Sequence, residues 1–427
     1  MIDTSGYKAI LRVREAYLFD IGGILTRVYA YMRTIGTVSM LTLAGYSFVD
    51  AGIVSSTIAL SMFAVSPGIS RLIDRRGQTK AVALFTAIAM AGLTLLIAAV
   101  ELHLPLYVCL AGAVLAGTLP QATALVRTRW VFLLKRMEDS PDRPSLKAVL
   151  SYEGIMDEIG FMVGPALSVA LGATFFPTCG MLAGGVFCVA GTIMLIRSRD
   201  TDPGPHLGSA EEPGEKQTRK RGNAGIGANS VFLKNGVVRL LVLLMFILGL
   251  FYGVFDTGLL GFAEDMGEPT VSSLVLILES TTSVIAGFVF GMIVFKRSPL
   301  WQLVLVTVAF GAAYSTLFLV NSTATLIVFG AGASFSYAPV LIVFNEACER
   351  TSPIENLTEA LTWLTTGSTL GLAIGPTLGG VIVDNMGPLS TFGVAAATAI
   401  AIPVLTIACV PLFKRHPNML GKSAQKP

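Results

Sequence analysis

Among the ionisable side chains inside long apolar stretches are Asp20, Arg27 and Arg33 in residues 17–42, Asp256 in 238–262 and Glu279 in 270–293. A charge in hydrocarbon is costly, so one that is kept there is either paired or put to use. Arg27 and Arg33, beside Tyr29 and Tyr31, offer the charge and the donors to hold an anionic or zwitterionic small molecule. The alternative is internal pairing, for instance with Asp256 or with Asp20, which precedes Arg27 by seven residues and so lies on nearly the same helical face. Asp256 and Glu279 carry the chemistry of proton coupling, because an unpaired carboxyl at depth can take up and release a proton. Asp256 is the preferred coupling residue and Glu279 the second. Either is alternatively a fixed counter-ion to an arginine.

A second set of charges gathers near the ends of two apolar stretches. Glu153, Asp157 and Glu158 are spaced to share a helix surface, opposite Arg127 and Arg129. This arrangement fits an ion-pair gate or a structural network better than a solute site. Glu346 and Glu359 hold the corresponding places later in the chain. No nucleophile or metal cluster emerges: His103, His206 and His416 fall in loops or the tail, and the five cysteines show neither metal-ligand nor disulfide spacing. A polytopic membrane enzyme is therefore a remote alternative, a channel has no recognisable filter, and no cofactor or metal is expected.

The elements that must position these residues follow from composition. The 427 residues are 53% hydrophobic and 13% charged, about half the charge of a soluble domain. Apolar runs long enough to span a bilayer recur at 17–42, 47–70, 81–101, 104–126, 148–174, 177–196, 238–262, 270–293, 300–320, 324–347, 356–382 and 388–412. None alternates as a barrel strand would, so the expected fold is an all-α polytopic membrane protein with twelve transmembrane helices. The first run is too long and too charged for a signal peptide and is expected to be retained. Apart from Arg27 and Arg33, every Lys and Arg falls at the N-terminus, in alternate loops or in the tail. The loops on the other side hold Asp50, Glu101, Glu264, Asp265, Glu268 and Asp384 and no basic residue. The positive-inside rule then places both termini in the cytoplasm of a plasma-membrane protein, and the net charge of +3 reflects orientation and no nucleic-acid partner.

The chain also repeats itself. Residues 146–165, LKAVLSYEGIMDEIGFMVGP, and 357–376, LTEALTWLTTGSTLGLAIGP, share a leucine pair, an aromatic (Tyr152, Trp363) and a closing G-x-x-x-G-P, as Gly160, Gly164, Pro165 and Gly371, Gly375, Pro376. Val54-Ser55-Ser56 and Val271-Ser272-Ser273 recur in the same way. Glycines four apart allow close helix packing, and a proline bends a helix. The expected division is therefore 1–196, a six-helix bundle; 197–236, a polar flexible linker; and 237–427, a second six-helix bundle with a short tail. The linker's basic run, Lys216 to Arg221, fits orientation setting, with lipid head-group contact as the alternative.

The loop Ser70 to Lys80, SRLIDRRGQTK, carries Asp74, Arg75 and Gly77 in a pattern that resembles the major facilitator superfamily signature G-x-x-x-D-R-x-G. Ser70 replaces its first Gly, and Gln78 and Thr79 replace its trailing basic residues. The resemblance implies a cytoplasmic latch in which Asp74 docks at the start of the eleventh helix; an ordinary charged hairpin is the alternative. It implies a central cavity lined by spans 1, 4, 7 and 10. Gly160, Gly164 and Pro165 resemble the superfamily's antiporter motif, although Leu167 and Ser168 replace its final glycines and the fuller copy, with Gly379 and Gly380, lies on span 11. The arginine that drug–proton antiporters of the superfamily carry midway down span 4 is missing. The expectation is a monomeric secondary transporter of a small organic solute, working by alternating access and coupled to protons. Efflux is the first reading, and uptake of an organic anion or other metabolite the alternative.

Overall fold

The computed structural model describes residues 9–137, 143–204, 231–293, 297–353 and 357–420, and its regular structure is entirely helical among those residues. Helices are what such runs must form, because a backbone in hydrocarbon has to satisfy its own hydrogen bonds. In chain order they are α1 (Tyr17–Leu43), α2 (Phe48–Arg76), α3 (Gln78–Glu101), α4 (Leu106–Ala116), α5 (Ala122–Arg136), α6 (Leu146–Thr174) and α7 (Cys179–Arg197). After the linker come α8 (Gly236–Asp265), α9 (Thr270–Met292), α10 (Pro299–Ser315), α11 (Thr323–Ala333), α12 (Tyr337–Thr351), α13 (Leu357–Met386) and α14 (Pro388–Ala408). Some of their starts are set by side chains that accept otherwise orphaned N–H groups. Ser145 opens α6, Asn235 opens α8 and Ser322, in a capping box with Thr325, opens α11. Gly77, at φ 84°, makes the turn between α2 and α3, in a region that side chains disfavour.

Among the described residues, ten helical spans are long and apolar enough to cross a membrane. The remaining two expected spans differ from that simple form. Helix α1 is 27 residues long, about 40 Å at 1.5 Å per residue, but buries Asp20, Arg27 and Arg33. The expected span 104–126 is not one helix. It breaks between α4 and α5 at 117–121, and α5 runs on to Arg136. The cause is Pro120: it has no N–H to give the Ala116 carbonyl one turn earlier. At the equivalent place in the second half, α11 passes through a 3-10 turn, Ser334–Ser336, into α12.

The chain forms two compact units, Met1–Gly45 with Thr57–Arg219, and Tyr46–Ser56 with Lys220–Pro427. In the first, α1 packs on α6 and α7, and α3 on α4. Phe19 and Trp130 meet edge to face at 5.4 Å within a cluster that includes Val126, Leu133 and Leu195. In the second, α8 packs along α13 and α14, around buried Phe251, Phe255, Phe310, Tyr314 and Phe392. Both G-x-x-x-G-P copies pack on the first helix of their own unit. A Cβ on Gly371 would stand 2.1 Å from the Phe246 carbonyl, and one on Gly375 2.5 Å from Cα of Gly253. In the first unit the fit is looser: Gly164 faces the Val28 carbonyl at 2.8 Å and Gly160 the Tyr31 ring at 3.1 Å. Helices α6 and α13 continue through Pro165 and Pro376.

The opening of the expected linker is held in place. Asp202 accepts from the Thr79 N–H at 2.9 Å and from the Thr79 hydroxyl, capping the start of α3. Arg136 donates to the Asp200 carbonyl at 2.7 Å. Composition predicts flexibility from 197 onward, but residues 197–204 are tied to the first unit by polar contacts that composition does not reveal. Residues 205–230 of the linker, with its basic run, lie outside the described residues.

Candidate functional site

The structure separates the two intramembrane arginines. Arg27, 2% exposed, makes an ion pair and hydrogen bond with Glu153, 1% exposed, and its Nε stands 3.1 Å from Asp157. Asp157 also meets Arg127 at 3.2 Å and accepts from the Thr123 hydroxyl at 2.7 Å. The acids of α6 therefore pair with Arg27 of α1 as well as with Arg127 of α5, and the charge of Arg27 is spent internally. Asp20 does not ion-pair with Arg27 and accepts instead from the Trp130 indole at 2.8 Å. Glu158 is exposed. Tyr31 packs at 5.6 Å against Phe161 and over Gly160, as a spacer between α1 and α6. Arg129 is buried away from the acids: it donates to Gln78 at 2.9 Å, to the Ser198 carbonyl at 2.9 Å and to Thr201 at 3.3 Å. It ties α3, α5 and the end of α7 together.

Arg33, 4% exposed, has no carboxylate among its contacts. Its guanidinium donates to the Ala116 carbonyl at 3.1 Å, approaches the Met62 sulfur at 3.1 Å and lies 5.8 Å from the Tyr29 ring centre. Ala116 is the last residue of α4, and its carbonyl is the one orphaned by Pro120. A cation at the negative end of a half-helix dipole, supplying the missing donor, accounts for the placement. Its Nε and the Tyr29 hydroxyl remain without partners.

The second unit places Glu279 of α9 and Asp256 of α8 within electrostatic reach of one another. Glu279 is 5% exposed, its Oε1 has no hydrogen-bond partner among the described residues, and a Cβ on Gly330 of α11 would stand 3.2 Å from that oxygen. Asp256 is only partly buried. Beside them runs a chain of hydroxyls: Tyr252 to Tyr314 at 3.1 Å, Tyr314 to Ser334 at 3.0 Å, and Ser334 to the Gly330 carbonyl at 3.0 Å. Its direction is forced. Ser334 has one proton and gives it to the carbonyl, so Tyr314 must donate to Ser334 and Tyr252 to Tyr314. Tyr252 is left presenting only lone pairs. The tyrosines and Ser334 carry no signal in periodicity, although all lie in spans that the sequence marks as apolar.

The family model described as Major Facilitator Superfamily matches residues 28–352 and 258–427. The chain belongs to the major facilitator superfamily. No curated protein sequence matches it. Solved structures of the superfamily type are similar in fold. A bacterial homologue of the iron transporter ferroportin, in an inward-facing state, gives a TM-score of 0.69 at 15% identity, covering 93% of this chain and 99% of that one. The nucleoside transporter NupG gives 0.66 at 14% identity, with 94% and 100% covered. The POT family transporter PepTSo gives 0.65 at 13%, with 94% and 98% covered. The chain is thus a multi-pass membrane protein of a transporter family.

The superfamily's signature loop is present at Asp74, Arg75 and Gly77, but the side chains of Asp74 and Arg75 lie outside the described set. A carboxylate that caps a helix start is found elsewhere. Asp384, at the far end of α13, accepts from the backbone N–H groups of Phe48 at 3.1 Å and Val49 at 2.8 Å, in the first turn of α2. Tyr46–Ser56 is the part of α2 that belongs to the second unit, and Ser56 there meets Thr377 at 2.7 Å. Sequence reasoning had placed Asp384 merely in an acidic loop. No motif marks it, since the capped partner lies 336 residues away.

Proposed function

We propose that this superfamily member is a proton-coupled secondary transporter that exports a small organic solute, with Asp256 and Glu279 as the carboxyls that exchange the proton. The observation that carries this reading is the buried Glu279 oxygen with no donor to meet it. The second half of the sequence offers no cation at that depth: Lys and Arg are missing between Arg239 and Lys296, between Arg297 and Arg350, and between Arg350 and Lys414. A carboxyl in such a place is held neutral by a proton or neutralised by a cargo, and alternation between the two is coupling. Arg27, tied to Glu153, is a structural charge in this reading. The bundles 1–196 and 237–427 rock about the linker, and the basic ends of the helices face the cytoplasm of the cell membrane.

Uptake of an organic anion is the second reading, favoured by the unpartnered Arg33 Nε and Tyr29 hydroxyl. Its weakness is that Arg33 already serves the Ala116 carbonyl. The test is a solute screen in proteoliposomes with an imposed pH gradient, repeated with Asp256→Asn, Glu279→Gln and Arg27→Ala. Solute movement that follows the gradient in the wild type and loses that dependence in the carboxyl variants is expected. Indifference to both the gradient and the carboxyl changes would sink the coupling assignment.

A further inference from the structure

The two units match closely where their fourth helices break. Leu106–Ala116 and Thr323–Ala333 are both 11-residue helices, the second beginning 217 residues after the first. The same offset relates Val54-Ser55-Ser56 to Val271-Ser272-Ser273 and Met62 to Glu279. In the first unit a guanidinium sits between residue 62 and the carbonyl of residue 116, over a tyrosine ring. In the second unit these places hold Glu279 and the carbonyl of Ala333. The aromatic neighbour there is Phe255, whose Cζ would stand 3.7 Å from a Cβ on Gly330. The end of the half-helix is served by neutral hydroxyls instead, Ser336 to Ala333 at 2.7 Å and Ser334 to Gly330 at 3.0 Å.

We propose that Glu279 and the groups around it bind a small organic cation, a guanidinium or an alkylammonium, in the place that Arg33 fills in the first unit. The proposal rests on the reading of Glu279 as a proton-exchanging carboxyl and names the cargo that replaces the proton. Among the described residues, the groups named around Glu279 offer acceptors and aromatic faces and no cation. Glu279 offers Oε1, Asp256 a second carboxyl, and Tyr252 an oxygen whose proton is committed to Tyr314. Tyr252 and Tyr337, with ring centres 4.4 Å apart, and Phe255 supply faces for a cation. The titratable groups around Glu279 are Asp256 and Tyr252 from α8, Tyr314 from α10 and Tyr337 from α12, while α11 presents Gly330. None is basic. A donor-rich cation is therefore the complement of the site, and an anion is not. Binding exchanges one cation for one proton: the protonated carboxyl releases H⁺, and the carboxylate accepts the N–H donors of the ligand. Exchange of that form is antiport, which links the site to export.

The experiment is calorimetric titration of the purified full chain with methylguanidinium chloride at pH 6, 7 and 8, in buffers of different ionisation enthalpy. Sodium chloride and sodium benzoate serve as comparison probes. Binding should tighten by up to about tenfold per pH unit where the carboxyl is protonated, with about one proton released per cation. It should be lost in Glu279→Gln and weakened severalfold in Tyr252→Phe, which removes the accepting oxygen. No heat from methylguanidinium at pH 8, or heat from sodium or benzoate alone, overturns the inference. An infrared carboxyl band is followed with pH in the ligand-free protein to keep the two readings apart. A band that titrates in the wild type and is missing in Glu279→Gln upholds the proton assignment even if the cation fails to bind. Loss of both signals overturns both readings.

Discussion

Replacing Arg27 with Met keeps the side chain's bulk and removes its charge. Glu153 is then left 1% exposed with no cation in contact, beside the like charge of Asp157 and with Arg127 acting on it only at longer range. Asp157 itself keeps Arg127 and Thr123, so the orphaned charge is Glu153 alone. Breaking a buried pair from one side costs about 3–5 kcal/mol, because the remaining charge stays desolvated. The double change Arg27→Met with Glu153→Gln removes both charges and should recover most of that loss, to within about 1 kcal/mol of the parent. The coupling between the two sites should then be about 2 kcal/mol or more. The assay is denaturation of the full chain in mixed micelles with increasing SDS, followed by circular dichroism. A loss below about 1 kcal/mol for Arg27→Met, or a double variant no better than the single, would refute the pair. A stable double variant that has lost solute binding would show that Arg27 touches the solute and is no structural charge.

Two further outcomes follow from contacts outside that pair. Burial opposes ionisation of Asp202, but hydrogen bonds from Thr79 and Gly204, with the Arg129 charge, outweigh it and hold the carboxyl below its usual range. Its contribution is therefore complete above the unfolded value near 4 and is lost as pH falls through the folded value. Asp202→Asn should cost about 1 kcal/mol at pH 7, the scale of a helix cap, and much less at pH 3; an equal cost at both pH values in unfolding curves would contradict the capping role. Among the glycines, Gly371→Ala should cost about 1–3 kcal/mol, since backbone meets it at 2.1 Å. Gly160→Ala should cost less because a tyrosine ring can yield, and Gly154→Ala, with nothing within 4 Å, should be neutral or stabilising. Thermal melts in one detergent would rank the three, and the reverse order would refute the packing account.

The helical fold was legible because hydrocarbon leaves few choices: apolar runs must be helices, and the repeated glycine segment must pack twice in the same way. The break of the fourth span was also written in the chain, as Gly117 and Pro120 inside an apolar run, but length alone suggests a continuous helix. The pairing of Arg27 with Glu153, and its separation from Arg33, was not legible. In helices that are apolar on every face, the rotation that decides which charges meet leaves no periodic trace. The Asp384 cap escaped for another reason. A carboxylate bound to backbone N–H groups selects no residue type in its partner, so Phe48 and Val49 give no sign of it.

The charges are distributed unequally between two units of similar construction. The first carries its own counter-charges: Arg27 answers Glu153, and Arg33 answers the end of α4. Both arginines there are engaged by groups of the protein itself. The second has acids at comparable depth and no basic residue to match them. A permanently matched charge stabilises one arrangement, whereas an unmatched one makes stability depend on what arrives from outside. A transporter needs that dependence on at least one side, since a ligand shifts a conformational equilibrium only through its differential interaction with the two states. On the proposed reading, the Met62-to-Glu279 difference across the repeat is where a structural contact in one unit gives way to a site for exchange in the other.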